Sequence, residues 1–154
     1  MLTNDQPRKD HVASLRSDAG LASALRVSLA RLTRRLRRQA AMHSLTPTQL
    51  ATLVAVELHS GITPGELAEL EKVQPPSMTR VIAALAERGL VSRTPHPTDR
   101  RQVTVSVTEQ GSTLLKEERR LKEAWLTQRL KELTPEERAI LRQAAPILEK
   151  LSRI

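Results

Sequence analysis

The chain has 154 residues, with 25 Lys and Arg against 17 Asp and Glu and a formal net charge of +8. That length can bury the core of one ordinary domain, and the absence of Cys excludes a disulfide framework, a thiolate metal site and a cysteine redox switch. The excess of positive charge points to a polyanionic partner, nucleic acid first and an acidic membrane surface second.

Residues up to Ser17 are polar with no sustained period and read as a flexible N-terminus, and Met1 to Pro7 lacks the apolar core of a signal peptide. No apolar run is long enough to span a bilayer, so a cytoplasmic, nucleoid-associated protein without a membrane partner is expected. A long helix is predicted over roughly Asp18 to Met42, with Leu21, Leu25, Leu29, Leu32 and Leu36 on one stripe. Arg26, Arg31, Arg34, Arg37 and Arg38 lie off that stripe, either as a solvated basic face or as a face near nucleic-acid phosphate. Thr46 and Pro47 then start a second helix to about His59, with Leu50, Leu53, Val54 and Leu58 as its apolar face.

Ser60, Gly61 and Ile62 read as a turn. Thr63-Pro64-Gly65-Glu66 is a capping-box pattern that opens a short helix ending near Leu70 or Glu71, with Leu67 and Leu70 inward. Gln74-Pro75-Pro76 fixes the start of another helix and Gly89 its end, and Met78, Val81, Ile82 and Leu85 recur at helical spacing between them. Two short helices separated by a few residues form a helix-turn-helix, whose second member is normally laid in the major groove. Leu90–Thr94 and Gln102–Val107 are β-branched-rich, and Val103, Val105 and Val107 alternate with Thr104 and Ser106 as in a half-buried strand. Between them Pro95 to Arg100 is turn chemistry running into two adjacent arginines, which makes a β-hairpin with a basic tip.

After the hairpin, Thr108 starts a long helix through about Lys131, with Leu114, Leu121, Trp125 and Leu130 as its main apolar positions. Its charges, among them Glu117, Glu118, Arg119, Arg120, Lys122 and Glu123, mix both signs as on a solvated face. Thr134-Pro135-Glu136-Glu137 starts a last helix, striped with Ile140, Leu141, Ala144, Ile147, Leu148 and Leu151 and expected to kink or break at Pro146. Both terminal helices carry more apolar surface than the small central module can cover, and pairing with a second copy is the economical inference.

This order of elements resembles the MarR family of bacterial transcription regulators. The resemblance rests on L-T-P-T-Q-L at Leu45–Leu50, I-T-P-G-E-L-A at Ile62–Ala68, P-S-M-T-R-V-I at Pro76–Ile82, L-A-E-R-G-L-V at Leu85–Val91, and Asp99, Arg101, Thr108 and Gly111 of the wing signature. It implies a mainly α (α+β) fold: a winged helix-turn-helix with a two-stranded β-hairpin wing and long N- and C-terminal dimerisation helices. Residues 18–154 then form one MarR-like domain, with 18–45 and 108–154 as dimerisation helices, 46–107 as the DNA-binding module and 1–17 flexible. The implied protein is a homodimer on a near-palindromic double-stranded DNA operator, a repressor released by a small hydrophobic or aromatic ligand.

The residue roles follow from that placement. Gln74, Ser77 and Arg80, with Pro76 and Thr79 beside them, form the outward face of the recognition helix, and Arg80 suits two hydrogen bonds to a guanine. Ser77 and Thr79 are equally candidates for phosphate, and a solvated helix charge is the competing reading for Arg80. The family pattern places Arg101 in the minor groove. Asp99 is expected to pair with an arginine or to act as a turn aspartate, His96 and Arg100 are candidate phosphate contacts, and Thr63 could present backbone N–H groups to a phosphate. The four histidines are scattered, with no metal-ligand spacing, and neither a phosphate loop nor a nucleophile motif is present. No cofactor, metal or enzymatic reaction is therefore expected. Trp125 is the one aromatic residue, so a ligand cleft would be lined by aliphatic side chains. The alternative reading is an architectural or broadly specific DNA-binding protein without ligand response; a winged helix serving protein contacts alone conflicts with Arg80, Arg100 and Arg101 on one presumed side.

Overall fold

Among the described residues, six helices and one hairpin follow one another in the order α1 (Asp18–Gln39), α2 (Pro47–Leu58), α3 (Pro64–Leu70), α4 (Pro75–Glu87), β1 (Val91–Pro95), β2 (Val103–Val107), α5 (Glu109–Lys131) and α6 (Pro135–Ser152). The computed structural model describes residues 16–39, 45–99 and 101–153. The expected flexible start, the end of the first helix beyond Gln39, and Arg100 therefore fall outside the described residues. The chain divides into two compact units, Met42–Ala124 and Met1–Ala41 with Trp125–Ile154.

In the first unit the helix starts are set by local chemistry. Thr46 caps α2 by accepting from the Gln49 N–H, while the Gln49 side chain accepts from the Thr46 N–H at 2.9 Å. Thr63 and Glu66 repeat that reciprocal box at α3. Helix α4 ends in a left-handed Gly89 (φ +68°), with the Gly89 N–H on the Ala86 carbonyl and the Leu90 N–H on that of Leu85. The same wrap ends α3, but there the left-handed residue is Lys72 at φ 52°, a conformation that disfavours any residue with a Cβ.

Leu53, Val56, Leu67, Met78, Ile82, Leu85, Leu90, Val105 and Leu115 are buried in one cluster. Around it, β1 and β2 pair antiparallel from Val91↔Val107 to Pro95↔Val103. Ile62, expected in a turn, instead bridges Val105: the Val105 N–H donates to the Ile62 carbonyl at 2.8 Å, which ties the α2–α3 connection to the wing.

Several inward assignments differ from expectation. In α2 the buried positions are Thr52, Leu53, Ala55 and Val56, while Val54 and Leu58 are exposed. This helix is apolar around most of its circumference, so periodicity alone does not select a face. Leu70 is exposed and Ala68 takes the inward place in α3, because a seven-residue helix offers the core only one turn. In β2, Val103 is exposed and Thr104 buried: Val103 lies past the core, and the Thr104 hydroxyl pairs with that of Thr94 at 2.9 Å. In α5 the buried residues are Gly111, Leu115 and Glu118. Glu118 was expected on a solvated face, but its carboxylate is buried with Lys122 Nζ 2.6 Å away.

The second unit contains α1 and α6, and neither helix has a buried residue. Ile140, Ile147 and Leu151 of α6 are each about 60 % exposed, and Leu21 and Leu29 of α1 about 44 %. Helix α6 runs without interruption through Pro146.

One cap has a pH signature. Hydrogen bonds from the Thr63 N–H and then the Thr63 hydroxyl hold the Glu66 carboxyl below its ordinary value, with a lesser contribution from His96. A depressed carboxyl favours the folded state above its unfolded pKa, and that contribution is lost as pH falls through the folded value. Glu66→Gln is therefore expected to lower Tm at pH 7, with the difference from the parent shrinking below pH 4.5. Thermal melts across pH 3–7 check this, and a constant difference over that range would rule the cap out as its source.

Candidate nucleic-acid interface

The packing of α4 separates two kinds of residue. Met78, Ile82 and Leu85 face the core, which leaves Gln74, Pro75, Pro76, Ser77, Thr79 and Arg80 exposed. The helix start is poor in main-chain donors: Pro75 and Pro76 have no N–H, and those of Ser77 and Met78 both reach the Gln74 carbonyl. An anion at this end must be held by side chains. The Gln74 amide makes no cap hydrogen bond and is available for that task. The Thr79 hydroxyl donates to the Pro75 carbonyl at 3.0 Å, so in this arrangement its oxygen can accept but has no proton left for a phosphate. Ser77 has no such bond among the described residues, and Arg80 projects its guanidinium from the exposed side one turn further on.

Thr63 is placed at the start of α3 as expected, but its donors are committed. Its N–H and hydroxyl both lie 2.8 Å from Glu66 Oε2, so the anion at this helix start is the chain's own carboxylate.

The wing tip is organised by two side chains. His96 Nδ1 accepts from the Asp99 N–H at 3.2 Å and from the Thr98 N–H at 3.4 Å, while the His96 N–H donates to the Gln102 carbonyl. Asp99 Oδ1 accepts from the Arg101 N–H at 3.0 Å and Oδ2 from the Gln102 side-chain amide at 3.1 Å. Among the described residues Asp99 pairs with no guanidinium; it acts as the turn aspartate, and what it fixes is the backbone from which the exposed Arg101 projects. Asp99→Ala removes both bonds, worth about 1 kcal/mol each. DNA affinity is expected to fall roughly tenfold and Tm by roughly 4–8 °C, and Asp99→Asn, which keeps the Oδ1 acceptor, should recover most of both losses in a DNA titration and a thermal melt of the two variants. Equal losses would make the negative charge the operative feature.

Two exposed cations escaped the sequence reading. Lys72 sits in the turn that leads into α4, and Arg93 is the third residue of β1, opposite Val105. A turn lysine looks like ordinary solvated charge, and Arg93 stands within an otherwise β-forming run, so neither had a distinctive signal. The Thr-x-x-Gly element proves to be a structural lock: the Thr108 hydroxyl donates to the Gly89 carbonyl at 2.6 Å and accepts from the Gly111 N–H at 3.1 Å. It joins the end of α4, the foot of the wing and the start of α5.

A surface recess of about 600 Å³ lies beside α3, lined by His59, Ser60, Gly61, Ile62, Glu66, Glu69 and Leu70. With two carboxylates in its wall it is a poor receptor for an acidic ligand. Trp125, in the other unit, stacks 5.6 Å from the Arg129 guanidinium.

Residues 45–103 match the family model described as MarR family. The chain is 48% identical over 134 residues to an uncharacterized HTH-type transcriptional regulator of Mycobacterium bovis, covering 87% of this chain and 94% of that protein. It is 32% identical over 109 residues to the HTH-type transcriptional repressor MdtR of Bacillus subtilis, covering 71% of this chain and 68% of the repressor. Among solved structures, a transcriptional regulator from Pseudomonas aeruginosa superposes with a TM-score of 0.80 at 34% identity, over 89% of this chain and 96% of that one.

Proposed function

This chain belongs to the MarR family of transcriptional regulators, and we propose that it is a homodimeric repressor that reads a near-palindromic DNA operator through α4 and the wing. The observation that carries the proposal is the exposed row Gln74, Ser77 and Arg80 on a helix whose opposite face is anchored by Met78, Ile82 and Leu85. Such an element can enter the major groove without disturbing its own core. Arg80 reads a base, Gln74 and Ser77 hold base edges or phosphate, and Arg101 enters the minor groove from the tip set by Asp99 and His96. Lys72, Arg93 and Arg100 add phosphate contacts, whereas Thr63 contributes by fixing α3. The Bacillus subtilis relative is a transcriptional repressor, which supports repression as the direction of control.

Dimerisation is assigned to 18–45 and 108–154, and DNA reading to 46–107. The exposed stripes of α1 and α6 are the apolar surface that a second copy would cover. A small hydrophobic or aromatic ligand that weakens DNA binding completes the reading. The protein works in the cytoplasm, at the nucleoid, and carries out no reaction of its own; among the described residues no helix is long and apolar enough to cross a membrane.

Selection from a pool of random-sequence duplexes tests the proposal. The expected product is one consensus of two inverted half-sites whose centres lie about 10–10.5 bp apart, bound by two protomers in sedimentation. Retained duplexes with no shared sequence would favour the architectural reading.

A further inference from the structure

The positive charge of this chain is not where a DNA-reading module would be expected to carry it. Residues 45–107 contain Lys72, Arg80, Arg88, Arg93, Arg100 and Arg101, but also Glu57, Glu66, Glu69, Glu71, Glu87 and Asp99, so the winged module is electrically neutral. Helix α1 carries Arg26, Arg31, Arg34, Arg35, Arg37 and Arg38 against the single acid Asp18. Most of the net charge of +8 therefore belongs to one helix outside the winged module.

The two long helices treat their cations differently. On α5, Arg119, Arg120, Lys122 and Arg129 pair with Glu57, Glu117, Glu118 and Glu132 at 2.6–2.8 Å. On α1 all six arginines are exposed, and among the described residues none has an ion-pair partner. At 100° per residue, Arg31, Arg34, Arg35 and Arg38 share one side, away from Leu25, Leu29, Leu32 and Leu36. Arg31, Arg34 and Arg35, together with Leu32, line one surface recess. Six like charges on a 22-residue helix repel one another, a cost that a polyanion relieves.

We propose that the arginine face of α1 is a second DNA-binding surface, which holds backbone phosphates without reading sequence and supplies the long-range attraction that the neutral winged module lacks. This deepens the DNA-binding reading and rests on it. The division of labour is physical: phosphate contacts set affinity and its salt dependence, whereas base contacts set preference. A membrane surface is the other polyanion such a helix could meet. It is disfavoured because α1 has no aromatic residue to anchor it at a lipid interface.

The test is fluorescence anisotropy of a random-sequence duplex over a salt series, with the full chain and two variants. One combines Arg31→Gln, Arg34→Gln, Arg35→Gln and Arg38→Gln; the other replaces the same four residues with Lys. The Gln variant is expected to lose about 0.9 from the slope of log affinity against log salt for each phosphate contact removed, and at least roughly tenfold in affinity at moderate salt. The Lys variant keeps the charge and should stay close to the parent. An unchanged slope in the Gln variant overturns the proposal, and so does an equal loss in both variants, which would mark damage to α1 itself. Reduced binding to phosphatidylglycerol vesicles with an unchanged DNA slope would assign the face to lipid and also overturn it. If the parent shows no preference for a selected operator yet the Gln variant loses slope, the operator reading fails while this surface stands.

Discussion

Gly111→Ala is expected to destabilise the protein by about 3 kcal/mol or more, through a backbone clash rather than a lost contact. A Cβ at position 111 would lie 2.2 Å from the Leu90 carbonyl oxygen and 2.8 Å from Val107 Cγ2. A flexible side chain could rotate away, but this carbonyl is held: it accepts from the Thr108 N–H at 3.1 Å, and the Leu90 N–H donates to the Leu85 carbonyl at 3.0 Å. Relief requires α5 to move off the foot of the wing, which would expose Leu115 and Val105. In a chain of this size the cost corresponds to a fall in Tm of roughly 6–12 °C. Circular-dichroism melts of the variant check it. A shift within 2 °C would show that the close approach of α5 to Leu90 is not part of the native packing.

The second large effect is on recognition. Arg80→Ala is expected to cost about 1–3 kcal/mol on the best selected operator, roughly 5- to 150-fold in affinity for each half-site contact, and far less on random DNA. The side chain is exposed on α4 and no core residue depends on it, so the fold should be unaffected. A repeated selection with the variant should relax one base position in each half-site. Equal losses on operator and random DNA would instead make Arg80 a phosphate contact, leaving base reading to Gln74 and Ser77.

Local signals were legible in the sequence wherever one short-range rule decided the outcome. Thr46, Thr63 and Thr134 cap the helices that their spacing announced, Gly89 is left-handed where a helix had to stop, and Asp99 and Arg101 of the wing signature lie in the hairpin turn. What was hidden depended on contacts distant in sequence. The face of α2 is chosen by Leu67, Met78 and Val105 on other elements, so Val54 and Leu58 could not be separated from Leu53 by period alone. Glu118 looked like any helix-surface charge because burial depends on neighbouring elements. The same limit applied to the site. The row from Gln74 to Arg80 was readable from helical spacing, and so was the Thr63–Glu66 box, yet that Thr79 has spent its hydroxyl proton on Pro75 is a fact of geometry. The contrast between four ion-paired cations on α5 and six arginines on α1 that have no ion-pair partner among the described residues likewise requires coordinates.

A sequence-reading regulator must do more than bind charge, and this is the property proposed for the chain. Its most direct test is a gel-shift titration of the purified protein against DNA flanking its own gene and against random DNA, at several salt concentrations. A discrete shift with two protomers on the flanking DNA and a preference of about 10³-fold or more at physiological salt are expected. Equal affinity for both DNAs, falling together as salt rises, combined with no consensus from random-pool selection, would contradict it.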